Sequence, residues 1–473
     1  MASDSVTLLK NGLLATFTDA DGPDATPTAR RADVLIKGDR IVQVAGPNSV
    51  DISGVPDPQI IDCFNKWIAP GFVDTHRHLW MSVMEGQEDW TLAEYLAKHS
   101  WTMASVVDAE DVYIGQLAGA MQALHGGTTT VVDHFHCANS PEHISKAIEA
   151  VSEAGLRCML CVARQVRIYT THLSQRASTP SNSPTTKACP RCNSRRWRRS
   201  PEKTNGKLTP DGRVTLGLAY DVLGSNPDED RRIVTLARSL GITPITAHYV
   251  GGPHGKGYSY RVRAWHEAGL LEGDLVFSHA NGLTHVGCDE EEWTLLKESG
   301  ASIAATPEDE LGMGHGDPVV PHPLHARTRP PNPQSPHPQH PHLRLRLPPQ
   351  HPRRAQAAHA STTVGSIEPG KLADIVLYDA DSINLAGCTD PFRGVVMHAT
   401  AQDVAWVFVG GKVVKREGRL VPVEHSGEGK KGREWGDVAR VLKERMEGIR
   451  ARVKGVDMEA RYTQVAQAIQ LDV

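Results

Sequence analysis

Four histidines stand where runs of apolar residues end, and that placement suits them to hold a cation. Pro70-Gly71-Phe72-Val73-Asp74-Thr75-His76-Arg77-His78 reads as an apolar strand closing on His-x-His. Side chains at i and i+2 of a strand point the same way, so His76 and His78 can meet one ion. Ile245-Thr246-Ala247-His248 and Val276-Phe277-Ser278-His279 end two later strand patterns in the same manner. Imidazole suits zinc first and iron second, and three ligands leave a position for water. A divalent ion lowers the pKa of such a water towards neutrality, so the chemistry on offer is hydrolysis.

These residues can converge only if their strands share one rim. From about residue 67, apolar strand patterns alternate with amphipathic stretches, the mark of βα units. The strands expected are Trp67–Thr75, Thr128–Asp133, Arg157–Ala163, Val214–Tyr220, Thr243–Ala247, Leu275–Ser278 and Ser302–Thr306. Helices are expected at Ala109–Leu124, His143–Ala154, Asp228–Leu240 and Glu290–Glu298. In a (β/α)8 barrel the C-terminal ends of the strands form the catalytic face. Seven strands are legible where a closed barrel needs eight, and strand 8 is not recognisable.

Short strands and turns occupy both chain ends. A hairpin signal surrounds Lys37-Gly38-Asp39-Arg40, and another surrounds Gly410-Gly411. The expected fold class is therefore α/β: a TIM-type barrel, apparently incomplete, with a small β-sandwich domain formed from both ends. In residue terms, 1–66 plus 362–425 form the small composite domain and 67–361 the barrel. Residues 430–473 form a charged C-terminal helical segment, a packing or oligomer element. Two stretches fit none of this. Residues 165–205 are rich in Ser, Thr, Pro and Arg, and residues 318–360 in Pro, His and Arg. Repeated proline opposes helix interiors and central strands. Such compositions are what GC-rich coding sequence gives in the wrong frame or across a misplaced exon boundary; a genuine insertion is the competing reading.

Composition narrows the function classes. Of 473 residues, 40% are hydrophobic and 22% charged, ordinary for a globular protein. A net charge of −4 argues against a polyanion binder, so no nucleic-acid partner is expected. No apolar window is long enough to span a membrane, and the N-terminal residues lack a signal-peptide pattern. Eight cysteines without that pattern indicate a reducing compartment, and the expected location is cytoplasmic. Cys158-x-x-Cys161 lies in an apolar strand pattern, where i, i+3 residues face opposite ways, so core packing is the better reading than a thiolate zinc site.

APGFVDTHRH, the strand-end His248 and His279, and the returning SIEPGKLADIVLYD together resemble the amidohydrolase superfamily, in its cytosine-deaminase-like and chlorohydrolase-like branch. The resemblance covers about residues 1–164, 210–317 and 362–425. It implies a metal-dependent hydrolase of carbon–nitrogen bonds other than peptide bonds, of the deaminase or amide-hydrolase type. His76, His78 and His248 would be ligands of one divalent ion, with His279 contacting the water or the substrate. His134 and His136, a second His-x-His on a strand that lines the pocket in this family, would bind substrate or pack locally rather than hold the metal. The substrate would be a small amino- or amide-bearing molecule, heterocyclic ones included, and a homo-oligomer fits the family.

The chain also departs from that pattern. The family's eighth strand ends in a metal-binding aspartate, yet residues 318–360 hold no Asp or Glu at all. Gly251 stands three residues after His248, where the branch often carries a proton-shuttling glutamate. Glu308, with Asp309 and Glu310 beside it, is the candidate proton carrier, against the alternative of acidic residues favouring a helix N-terminus. A catalytically inactive, binding-only member is thus the alternative function.

Overall fold

The computed structural model describes residues 5–17, 29–84, 91–163, 206–250, 261–283, 290–313, 350–424 and 432–468. The stretches 165–205 and 318–349 and the glycine-rich residues 251–257 lie outside them. Sixteen strands are present among the described residues: β1 (Val6–Leu14), β2 (Arg30–Lys37), β3 (Arg40–Ala45), β4 (Gln59–Asp62), β5 (Lys66–Pro70), β6 (Phe72–Arg77), β7 (Thr128–Phe135), β8 (Arg157–Ala163), β9 (Val214–Ala219), β10 (Ile245–Tyr249), β11 (Leu275–His279), β12 (Ser302–Ala304), β13 (Ile375–Asp379), β14 (Val404–Val409), β15 (Lys412–Arg416) and β16 (Arg419–Leu420).

Seven of them, β6 to β12 in sequence order, form one parallel sheet that almost closes on itself. Strands of such a sheet are covered on both faces. Accordingly β8, Arg-Cys-Met-Leu-Cys-Val-Ala, is buried at every position, Cys158 and Cys161 included. Helices follow the strands and are ended by local chemistry. Pro141–Ala154 starts two residues before its apolar pattern because Ser140 caps it and Pro141 occupies the first turn. Pro227–Ser239 repeats the device with Asn226 and Pro227.

The two chain ends hydrogen-bond into a single nine-stranded sheet, β16-β15-β14-β13-β5-β1-β2-β3, with β4 on β1. Both hairpins form where expected, Lys37 opposite Arg40 and Val409 opposite Lys412. The structure corrects the span Trp67–Thr75, which is two strands in two sheets. Gly71 marks the handover: its N–H donates to the Asp374 carbonyl of the end sheet, and a Cβ there would lie 2.1 Å from Thr129 Oγ1 in the barrel. Apolar continuity alone hides that break. Asp374 also grips β8, taking bonds of 2.8 and 3.0 Å from the Arg157 guanidinium in a buried ion pair. One strand–turn motif near the C-terminus thus ties the end sheet to the barrel.

Past β12 the described residues hold no eighth barrel strand. Instead a helix, Gln350–Ala357, packs against β6. This corrects the reading of the whole Pro-rich stretch as irregular: Pro352 falls in the first turn, where its missing N–H costs nothing. Ala355, Ala358, Ala360 and Val364 join Val73, Val132, Met159 and Ala219 in one buried cluster. The C-terminal segment is helical, as Trp435–Val453 and Met458–Ala468. Arg445 and Arg452 of the first of these reach Asp108 and Asp111 at the start of the Ala109–His125 helix.

Candidate metal centre

β6 delivers His76 and His78 to the rim, and the turn after it is built to hold them. Leu79–Met84 coils as a short 3-10 turn whose first N–H donates to Asp133 Oδ1 at 3.0 Å. Gln116 donates to the other oxygen of Asp133 at 2.8 Å. Burial pushes the Asp133 carboxyl up to about 7 against those two bonds. Gly115 of the Ala109–His125 helix lets the turn approach, since a Cβ there would meet the Trp80 carbonyl oxygen at 2.2 Å. β10 and β11 bring His248 and His279 to the same rim, paired one residue out of step, His248 opposite Ser278.

The rings converge. From the His76 centroid, His78 is 4.8 Å away, His248 4.9 Å, His279 5.1 Å and His134 5.8 Å. One donor atom each from His76, His78 and His248 lies within 4.8 Å of the others. Their second ring nitrogens are engaged elsewhere. His78 Nδ1–H donates to the His134 carbonyl at 2.7 Å, and a carbonyl can only accept, so Nε2 carries the lone pair. His76 Nδ1 is hydrogen-bonded to Ser278 Oγ at 2.8 Å. Burial, then the neighbouring imidazoles, holds His76 and His78 well below the usual histidine range, which keeps them neutral. Neutral, outward-locked imidazoles converging on one point fit a borderline divalent cation.

His279 Nδ1 is bonded to Thr306 Oγ1 at 2.6 Å, and both His279 and Ala280 take positive φ, 68° and 52°. Left-handed backbone at two non-glycine residues costs free energy and is found where a side chain must be aimed. His136 lies 4.3 Å from His78, ring to ring, and edge-on to Trp80; burial, then His134 and His248, pushes it down to about 3. His134 is fully buried and faces β10, its Nδ1 3.0 Å from Thr246 Oγ1. Glu308 is not brought to the histidines: it is exposed on the short Pro307–Gly312 helix. The buried carboxylate there is Glu310, whose Oε1 takes the Thr306 N–H at 2.9 Å and lies 3.6 Å from His279 Nδ1. Helical geometry explains the shift, because residues two apart on a helix face different ways.

One residue at the centre escaped the sequence reading. Asp221 lies just beyond β9, and its carboxylate touches both His134 and His248, each at 2.9 Å. The signal was available: Asp221 ends a strand pattern as the histidines do. Tyr220 before it is fully buried and bonds Asp230, which also takes the Gly224 N–H, so the loop holding Asp221 is pinned to the next helix.

The amidohydrolase family model matches residues 67–316. A 5-methylthioadenosine/S-adenosylhomocysteine deaminase of Pyrococcus abyssi is 24% identical over 431 residues, covering 83% of this chain and 92% of that protein. The corresponding Thermococcus kodakarensis deaminase is 36% identical over 128 residues, 27% of this chain. That shorter match spans only 28% of the relative's length. Among solved structures, a zinc-bound adenosine deaminase from Xanthomonas campestris superposes with a TM-score of 0.70 at 17% identity, covering 94% of this chain and 98% of that one. A zinc complex of atrazine chlorohydrolase from Arthrobacter aurescens TC1 gives 0.65 at 17% identity, covering 93% and 100%. At such identities the likeness is one of fold.

Proposed function

The chain belongs to the amidohydrolase family, metal-dependent hydrolases of non-peptide carbon–nitrogen bonds, and on that premise we propose that it is a hydrolytic deaminase of an aminated nitrogen heterocycle. The observation that carries this reading is the convergence of His76, His78 and His248 within 4.8 Å, with their second nitrogens engaged by other groups. These three would hold the ion, zinc in preference to iron given an all-imidazole set. A divalent cation there supplies Lewis acidity and an acidified water.

The chain's own residues carry the rest. His279, aimed by its left-handed backbone and held by Thr306 and Glu310, would orient the water and hydrogen-bond the charge that develops as it attacks a ring carbon. The half-buried rings of His78 and His136 offer a flat, polar-edged wall for an aromatic heterocycle. His134 is sealed beneath that wall, so its part in substrate binding would be to support His78 from behind. The names of the relatives, adenine-nucleoside deaminases and a triazine hydrolase, point to purine or triazine rings bearing an exocyclic amino group or a comparable leaving group.

Residues 1–66 with 362–425 would form the composite end domain around the barrel of 67–361, and the charged 430–473 segment would support a homo-oligomer. Among the described residues no helix is long and apolar enough to cross a membrane; a cytoplasmic location is proposed on the free cysteines among those residues. The test is to load the full chain with zinc, count bound metal, and assay ammonia release from adenine nucleosides and aminotriazines. One zinc per chain and ammonia release are expected. A chain that retains no metal and releases no ammonia is the binding-only protein instead.

A further inference from the structure

We propose that Asp221 is a positioning residue for the metal centre, a single carboxylate that sets the ring orientation of His248 directly and that of His78 through His134. The inference rests on the metal-centre reading above. Asp221 Oδ2 lies 2.9 Å from His248 Nδ1 and 2.9 Å from His134 Nε2, and Oδ1 takes the His248 backbone N–H at 2.8 Å. An ionised carboxylate accepts only, so each imidazole points an N–H at it. For His248 this leaves Nε2 as the one lone pair available to an ion. For His134 it leaves Nδ1 to accept from Thr246 Oγ1 at 3.0 Å. The His134 carbonyl in turn accepts from His78 Nδ1–H at 2.7 Å, leaving His78 the same nitrogen free as His248.

One side chain therefore braces four strand ends: β9, which it follows, β10 through His248, β7 through His134, and β6 through His78. The charge matters here. His76, His78 and His248 bring no negative charge to a dication, and residues 318–360, where the family's eighth-strand aspartate belongs, contain no acid. Asp221 supplies an anion in contact with one ligand, and two hydrogen bonds joined through the ring and backbone carbonyl of His134 separate it from another. Outer partners of this kind raise the basicity of the ligand and are worth 10- to 100-fold in metal affinity.

The competing arrangement is that His134, Asp221 and His248 themselves ligate a second ion, since one donor atom from each also lies within 4.8 Å of the others. Both ring nitrogens of His134 are already hydrogen-bonded, Nε2–H to Asp221 and Nδ1 to Thr246 Oγ1, which leaves that ring no lone pair to offer and argues against it. The experiment compares wild type with Asp221→Asn in zinc stoichiometry, zinc affinity by competition with a chelator, and the visible spectrum of the cobalt-loaded protein. Expected are one ion in both, an affinity about 10- to 100-fold weaker in the variant, and shifted cobalt bands. Equal affinity with an unchanged spectrum overturns the proposal, as does a wild type holding two ions of which the variant loses one. A wild type that holds no ion fails the functional reading itself. If the variant does not fold, zinc-loaded wild type labelled with 15N-histidine decides: a proton on His248 Nδ1 supports the proposal and a proton on Nε2 overturns it.

Discussion

The arc of the rim from β6 round to β11 and the arc between β12 and β6 are held together by different physics. In the first, parallel ladders fix the strand ends, and each polar group at the rim is locked by another: His76 by Ser278, His78 by the His134 carbonyl, and His134 and His248 by Asp221. In the second, β12 is three residues long and no further strand joins the barrel sheet after it among the described residues. What stands against β6 there is a helix presenting alanines to Val73 and its neighbours. Directional bonds give the first arc angular precision, whereas apolar packing on the second gives contact without aim. The proposed ligands His76, His78 and His248 all stand on the first arc, and the second contributes cover.

The largest effect that could break this contrast is loss of a ligand. His76→Ala and His248→Ala are each expected to weaken zinc binding by more than about 100-fold, beyond the range of an outer partner, and to abolish ammonia release. Retention of metal and activity by either variant would remove the first arc from the chemistry. Asp221→Asn, as set out above, should fall next in rank.

Acid sharpens the comparison without mutation. Burial pushes His99 down to about 4 and, with its neighbours, His136 to about 3. Unfolded histidines take a proton near pH 6.5, so between pH 6.5 and 4 the unfolded chain binds more protons and stability falls as pH falls. For the buried His99 alone this is worth about 3 kcal/mol across the window. The thermal midpoint of the metal-free protein should therefore hold steady above pH 6.5 and drop steeply below it. A midpoint unchanged between pH 7 and 5 would contradict the burial of these rings.

The second arc answers to volume. Ala355→Leu overfills a fully buried site and should cost about 1–3 kcal/mol by thermal denaturation, leaving zinc stoichiometry at its wild-type value. A loss of bound zinc in that variant would show that the alanine cover also aims ligands. The smallest effect separates two neighbours. Glu310→Gln, which removes a charged hydrogen-bond acceptor from Thr306, should cost about 1.5 kcal/mol. Glu308→Gln on the exposed face should stay within about 0.5 kcal/mol. Reversal of that order would return Glu308 to the site.

The histidines were legible because their signal is local: an apolar run followed by His at a strand end needs no knowledge of neighbours. Asp221 obeyed the same rule and was readable in principle at the end of Val214–Tyr220. Glu310 was not, since choosing among three consecutive acids requires knowing which face of a short helix meets β11. The strand break at Gly71 was hidden for a similar reason, because apolar residues on either side look alike whichever sheet they enter. Pro352 misled by composition, as a proline at a helix start and one in its interior are the same letter.

By itself the sequence determined the parallel barrel, the end sheet with its two hairpins, and four histidines at strand ends, all consequences of periodicity and turn chemistry within a few residues. Only the tertiary structure decided which side chains touch. Asp221 meets His248 across 27 residues and His134 across 87, and such meetings are set by strand order and register, which no short stretch of chain encodes.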